Sequence, residues 1–85
     1  MELDSGTREE IIARLLEMSD KKLARAQLND SMSLRDDLEI DSLTLVTLAT
    51  DLEEALEIDI DNDQLSGIRT LGDLFQVIKA TPKKA

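Results

Sequence analysis

Three stretches of this sequence carry apolar side chains at the three- and four-residue spacing of an α-helix, and this periodicity restricts the fold to a small helical bundle. The residues of the three stretches are Ile11, Ile12, Leu15 and Leu16, then Leu45, Leu48, Ala49, Leu52 and Leu56, and finally Leu71, Leu74, Phe75 and Ile78. Residues spaced in this way share one helical face, which must be buried against another element. Phe75 is the sole aromatic residue, so the core must be mainly aliphatic.

Capping signals predict where the helices begin. Thr7 with Glu10, and Thr70 with Asp73, each place a hydroxyl three residues before a carboxylate, as in a capping box. Asp41 is a suitable N-cap for the middle helix. The predicted main helices therefore run from about residue 7 to 18, from about 42 to 56, and from about 71 onward.

The segments between the helices are predicted to pack against the bundle. The long connection over residues 19–39 contains five spaced apolar residues, namely Leu23, Leu28, Met32, Leu34 and Leu38. The stretch 57–61 alternates like a strand, but no partner strand is evident, so we predict an extended loop that delivers Ile58 and Ile60 inward. A short helical turn over 62–66 should end at Gly67.

With 85 residues, the chain is predicted to form a single domain over 1–85, with its core at about 7–80 and a short tail at 81–85. The predicted fold is all-α, a small bundle of three main helices plus one short helix with a long first loop. A domain of this size buries only about 60% of its extended-chain surface, so a large internal active site is not expected. Met1 and the lack of a linker segment lead us to expect a discrete protein.

The residue types that are absent exclude most catalytic chemistry. The sequence has no cysteine and no histidine, which removes thiol and Ser-His nucleophiles, disulfides and the common zinc sites. The interpretation is a non-catalytic protein. Glu53 and Glu54 do not form an acid/base pair, because adjacent helical residues point about 100° apart.

The net charge of −9 disfavours nucleic acid as a partner, because that binding requires clustered Lys and Arg. Basic protein surfaces are the expected partners. No apolar run approaches the roughly 20 residues of a membrane span, and the polar N-terminus does not resemble a signal peptide. We therefore expect a cytoplasmic protein.

Residues Asp41-Ser42-Leu43 resemble the attachment motif of the acyl carrier protein family. The surrounding sequence strengthens the resemblance, which covers about residues 7 to 80 without an evident gap after Ser42. The matching positions outside the motif are Leu34, Leu38, Glu53, Glu54, Ile58, Asp59, Ile60, Ile68, Thr70, Leu71, Gly72 and Asp73. An isolated Asp-Ser-Leu would mark only a capped helix start, but in this setting Ser42 is interpreted as the attachment site.

The resemblance implies that Ser42 receives 4′-phosphopantetheine from coenzyme A through a separate Mg²⁺-dependent phosphopantetheinyl transferase. The arm would supply the thiol that a cysteine-free chain lacks, so that cargo is held as a thioester. Its phosphodiester would lie at a helix N-terminus, which favours an anion by roughly 0.3–1 kcal/mol. Asp41 would repel it slightly, so Asp41 is assigned a capping and recognition role, with Leu43 completing the motif.

Acidic residues predict a docking surface for partner enzymes that transfer, condense or modify acyl groups. No Lys or Arg occurs from Asp36 to Ile68, whereas this stretch holds eleven carboxylates. Such a field steers basic partners, although it could also serve solubility alone. The predicted docking residues are Glu39, Asp41, Thr44, Thr47, Asp51, Glu53, Glu54 and Glu57.

Several positions depart from the pattern of fatty-acid carriers. Thr44 and Thr47 stand where acidic residues are common, Glu39 replaces a frequent glycine, and Asp61 replaces a frequent proline. The resemblance implies a protein that is monomeric when free, but these differences disfavour the partners of housekeeping fatty-acid synthesis. Polyketide or fatty-acid-like biosynthesis is the predicted setting.

The resemblance also implies that an acyl chain contacts the core, and the predicted acyl-contact residues are Leu52, Ile60, Leu65, Ile68 and Leu74. Leu65 and Leu74 fall where fatty-acid carriers often have alanine, which should leave less room for a guest in a close-packed interior. We therefore predict weak sequestration of long acyl chains.

Other interpretations remain open at this point. The chain could be a peptidyl or aminoacyl carrier, or a small acidic helical adaptor with no prosthetic group. The spacing Asp59-x-Asp61-x-Asp63 resembles the start of an EF-hand loop, but Gln64 and Thr70 occupy positions that need glycine and glutamate, so no metal site is predicted.

Overall fold

The computed structural model describes residues 5–19 and 24–82. Its helices are α1 (Ser5–Met18), α2 (Ser42–Leu56), the short α3 (Asn62–Ser66) and α4 (Leu71–Ala80), with a 3-10 turn at Arg25–Gln27. Within these residues, Ser33 and Thr70 form an isolated antiparallel β-bridge. The all-α bundle of three main helices and one short helix is confirmed.

The core lies where the apolar faces of the helices meet. Its fully buried side chains come from α1, α2, α4 and the two loops that flank α2: Ile11, Leu15, Leu38, Leu48, Leu52, Ile58, Leu71, Leu74 and Ile78. Phe75 closes one side, with the Arg8 guanidinium 4.3 Å from its ring centroid. Arg8 also pairs with Asp30 at 3.1 Å, so its side chain joins α1, α4 and the long loop.

Two of the three predicted helix starts are confirmed. Asp41 accepts a hydrogen bond from the Thr44 N–H at 2.8 Å, and Thr70 and Asp73 form the complete capping box of α4. The capping box at Thr7 is wrong, because α1 begins two residues earlier, at Ser5. Glu10 instead pairs with Arg14 one turn later, at 2.8 Å.

The long first loop is held against the start of α4 by backbone hydrogen bonds. The N–H groups of Leu34, Leu71 and Gly72 donate to the carbonyls of Arg69, Met32 and Asp30 at 2.9, 3.0 and 2.8 Å. Leu34 and Leu38 are buried, and Leu28 and Met32 pack against the core, as predicted. The remaining predicted residue of this series, Leu23, lies outside the described residues. These backbone hydrogen bonds determine the path of the loop toward α2.

The extended loop after α2 also packs as predicted. Ile58 is fully buried, and Ile60 is partly buried against the core. Asp61 caps α3 by accepting from the Asp63 N–H at 3.0 Å, and α3 ends at Gly67.

Glu39 has a left-handed backbone conformation, with φ of 54°. A side chain in this region costs roughly 1–2 kcal/mol, which glycine avoids. We expect Glu39→Gly to raise the free energy of unfolding by up to about 1 kcal/mol, after the greater freedom of glycine in the unfolded chain is subtracted. In a thermal melt, the melting temperature should rise by about 4–8 °C for each kcal/mol gained.

Glu39→Ala is the matched control, because it removes the same carboxylate but keeps the Cβ atom. An equal gain from alanine would show that the benefit comes from lost charge repulsion rather than from the backbone.

Candidate functional site

Ser42 is the first residue of α2, and the local burial pattern directs its side chain outward. Ile40 is buried and anchors the chain two residues earlier. The next three residues, Asp41, Ser42 and Leu43, are all exposed, and the exposed fraction of Leu43 is 76%. The hydroxyl of Ser42 is therefore accessible to an external reagent.

Asp41 organises the first turn that presents Ser42. Its side chain accepts from the Thr44 N–H at 2.8 Å, and its carbonyl accepts from the Leu45 N–H at 2.9 Å. The hydrogen bonds from Thr44 hold the pKa of the Asp41 carboxyl below its usual value, with the nearby Arg35 charge acting in the same direction. The carboxyl is thus ionised at neutral pH, and it caps the helix directly beside the serine.

Arg35 is the residue that sequence reasoning missed. Its Nη2 atom donates a hydrogen bond to Ser42 Oγ at 3.3 Å. The available signal in the sequence was that Arg35 is the only Lys or Arg between Arg25 and Arg69. Because the guanidinium is permanently protonated, it cannot serve as a general base for the serine. The hydroxyl can accept a covalent group here, but Arg35 would not activate it for catalysis.

An open cleft of about 410 Å³ lies beside Ser42. Four charged residues line it, two cationic and two anionic: Arg35, Arg69, Asp36 and Asp41. A second cleft of about 380 Å³ shares Ser42, Leu45, Ser66 and Ile68 with the first and extends toward α3, where Val46, Asn62 and Leu65 line it. A group attached to Ser42 would thus have a charged surface on one side and a more apolar surface on the other.

The predicted docking residues fall into two parts of the surface. Near Ser42, Glu39, Asp41 and Thr47 are exposed, and Thr44 is half-buried. Thr47 uses its hydroxyl within the helix, where it donates to the Leu43 carbonyl at 3.1 Å. Val46 is 48% exposed, so the front half of α2 presents an apolar surface together with neutral hydroxyls.

The other part is the acidic second half of α2, which comprises Asp51, Glu53, Glu54 and Glu57. Glu54 and Glu57 are exposed, whereas Asp51 and Glu53 are half-buried. The Glu53 carboxylate accepts from the Ile60 N–H at 2.9 Å, so it also supports the loop after the helix. The roles of all these residues in docking stay predictions.

The structure places the predicted acyl-contact residues at different depths. Leu65 and Ile68 line the clefts beside Ser42. Leu52 and Leu74 are fully buried in the core, and Ile60 is partly buried against it. A guest in the clefts would therefore meet Leu65 and the small exposed part of Ile68, whereas it would reach Leu52 and Leu74 only if the core opened.

Residues 5–19 and 24–82 also bear on metal binding and membrane insertion. Within these residues, no group of three or more carboxylate side chains is arranged to hold a metal ion. Asp61, the middle residue of the EF-hand-like spacing, serves as the cap of α3. None of the described helices has both the length and the apolar character required to cross a bilayer.

Comparison with known proteins matches the chain to a family and to several relatives. The family model described as phosphopantetheine attachment site matches residues 9–78. The chain is 35% identical over 77 residues to the meromycolate extension acyl carrier protein of Mycolicibacterium smegmatis. The aligned region covers 88% of this chain and 78% of the relative.

Two relatives named acyl carrier protein match at similar levels. The protein of Exiguobacterium sibiricum is 36% identical over 75 residues, which is 86% of this chain and 95% of the relative. That of Rhodococcus erythropolis is 33% identical over 75 residues, with 86% and 82% covered.

Proposed function

Because this chain belongs to the acyl carrier protein family, we propose that it carries acyl intermediates through the hydroxyl of Ser42. Its covalent cofactor is 4′-phosphopantetheine, and its role lies in fatty-acid or polyketide-like biosynthesis. The arm supplies a thiol, absent from the chain itself, that holds cargo as a thioester.

The surroundings of Ser42 support its assignment as the attachment residue. The serine is exposed at the N-terminus of a fifteen-residue helix, where backbone N–H groups and the helix dipole favour an anion. A guanidinium contacts the hydroxyl oxygen, and an open cleft lies next to it. A phosphodiester therefore fits the charge of this position, and the transferase can reach it.

The chain interacts with a phosphopantetheinyl transferase and with biosynthetic enzymes, as its family implies. We propose that these partners approach α2, with Leu43, Val46, Thr44 and Thr47 at its front. The acidic residues of the second half would attract basic surfaces over longer distances, and their effect should weaken as salt increases. We propose that the chain itself is non-catalytic, since its sequence has neither histidine nor cysteine.

The test of this function is enzymatic loading of the apo-protein. The chain would be incubated with coenzyme A, Mg²⁺ and a broad-specificity phosphopantetheinyl transferase, and its intact mass measured. We expect a gain of one phosphopantetheine group, which peptide mapping should place on the peptide containing Ser42. The absence of a mass gain would contradict the carrier function and favour an acidic adaptor without a prosthetic group.

An acyl cargo is favoured over a peptidyl or aminoacyl cargo by the relatives, since those described above are all named acyl carrier proteins. Acyl-coenzyme A analogues and aminoacyl-coenzyme A analogues can both be loaded by the transferase. Their subsequent turnover by condensing enzymes from fatty-acid, polyketide and peptide assembly would then separate the two classes.

We expect weak sequestration of a long acyl chain. Leu74 is fully buried in the core, and Leu65 lines the cleft toward α3. An amide-linked octanoyl group should therefore cause only small NMR changes beyond those of an acetyl group. Strong, chain-length-dependent shifts or amide protection at Leu52, Ile60 and Ile68 would contradict this prediction. Leu65→Ala, which enlarges the cleft, should increase the response to octanoyl.

A further inference from the structure

Arg35 provides a cation in direct contact with Ser42 on an otherwise acidic part of the chain. Its Nη2 atom lies 3.3 Å from Ser42 Oγ. The contact spans seven positions in sequence and arises because Leu34 and Ile40 are both buried on either side of Arg35. The Ile40 N–H donates to the Leu34 carbonyl at 2.7 Å, which closes the loop and brings Arg35 toward the helix start.

The charges around this contact are balanced before any group is attached. Arg35 and Arg69 line the cleft together with Asp36 and Asp41. In residues 5–19 and 24–82, Arg8 pairs with Asp30 and Arg14 pairs with Glu10, and neither cleft arginine takes part in these ion pairs. Both arginines are exposed. Arg35 can therefore turn toward a new anion without breaking an existing ion pair.

We propose that Arg35 binds the phosphodiester of the prosthetic group, an inference that rests on the proposed function of Ser42. A phosphate attached to Oγ carries its free oxygens two bonds away from the atom that Arg35 already contacts. A guanidinium donates through a planar fork that matches such oxygens, and charge-assisted hydrogen bonds are stronger than neutral ones. Arg35 thereby offsets the repulsion from Asp36 and Asp41 and holds the base of the arm at the cleft.

The test compares the effect of loading in the natural chain and in Arg35→Gln. The apo and loaded forms of both are unfolded with urea at low ionic strength. In the natural chain, loading should lower the unfolding equilibrium constant about two- to five-fold, the range of an exposed ion pair. In Arg35→Gln, we expect the effect of loading to be small or reversed in sign, because Asp36 and Asp41 still repel the phosphate while the guanidinium that contacts Ser42 Oγ is gone.

Two further variants and a second readout sharpen the comparison. Arg69→Gln removes the other cleft arginine, which does not contact Ser42 Oγ, and should leave most of the loading effect. Arg35→Lys keeps the positive charge but lacks the planar guanidinium, so it should retain part of the loading effect. The ³¹P resonance of the loaded protein should shift in Arg35→Gln more than in Arg69→Gln, and the difference should shrink in high salt.

The outcomes separate this inference from the function on which it rests. If the natural chain gains no mass, the attachment function itself fails. If it is loaded but loading stabilises the natural chain and Arg35→Gln equally, and their ³¹P resonances coincide, the role of Arg35 is overturned while the carrier function stands.

Discussion

Replacing Ser42 with alanine is expected to abolish phosphopantetheine loading completely while leaving the fold intact. The hydroxyl oxygen is the atom that would form the bond to phosphorus, so no partial activity should survive its removal. The fold should persist because Ser42 is exposed and the cap of α2 comes from Asp41. Intact-mass analysis after incubation with coenzyme A and transferase measures the loss, and circular dichroism checks the helices.

Ser66→Ala is the matched control for this experiment. Ser66 lines the same two clefts, is exposed, and donates its hydroxyl to the Asp63 carbonyl at 2.9 Å. It should be loaded as fully as the natural chain. Persistent loading of Ser42→Ala would place the attachment elsewhere and contradict the assignment.

Leu74→Ala is expected to cause the largest loss of stability, about 2–5 kcal/mol. Leu74 is fully buried on α4, where its side chain contributes to the core. Removing it deletes apolar contacts and leaves a cavity that the surrounding helices fill only in part. The free energy of unfolding of a domain is typically about 5–15 kcal/mol, so this one substitution could leave a large fraction of the molecules unfolded. Urea denaturation measures the loss, with the slope of the transition compared between Leu74→Ala and the natural chain.

Leu65→Ala makes the same chemical change at a partly buried position that lines an open cleft. Water and neighbouring side chains already reach this position, so we expect it to cost clearly less than Leu74→Ala. Equal losses would show that the cleft toward α3 is as tightly packed as the core, contrary to the described geometry.

Helix starts were predicted well where a single local signal decided them. Asp41 caps α2, and Thr70 with Asp73 caps α4, because these interactions join residues three apart and need no other part of the chain. The same type of signal was wrong at Thr7. There the helix continues backward to Ser5, since nothing in the sequence Ser-Gly-Thr forces it to start later.

The candidate attachment residue lies in a local motif of the sequence, whereas its surroundings could not be predicted from that motif. The Asp-Ser-Leu motif and the helix that follows it are local features of the sequence. The contact of Arg35 with Ser42, and the position of Arg69 across the same cleft, depend on the path of the long loop. That path is held by hydrogen bonds from Leu34 to Arg69 and from Leu71 to Met32, which periodicity does not reveal.

By itself, the sequence determined the helical class, the bounds of α2 and the serine at its tip, because spacing and capping act within one or two turns of a helix. Only the tertiary structure decided the left-handed backbone at Glu39, the depths of Leu65 and Leu74, and the cation beside Ser42. The physical reason is that loop conformation and side-chain depth depend on contacts between residues far apart in the chain. Those contacts exist only once the core has brought the helices together.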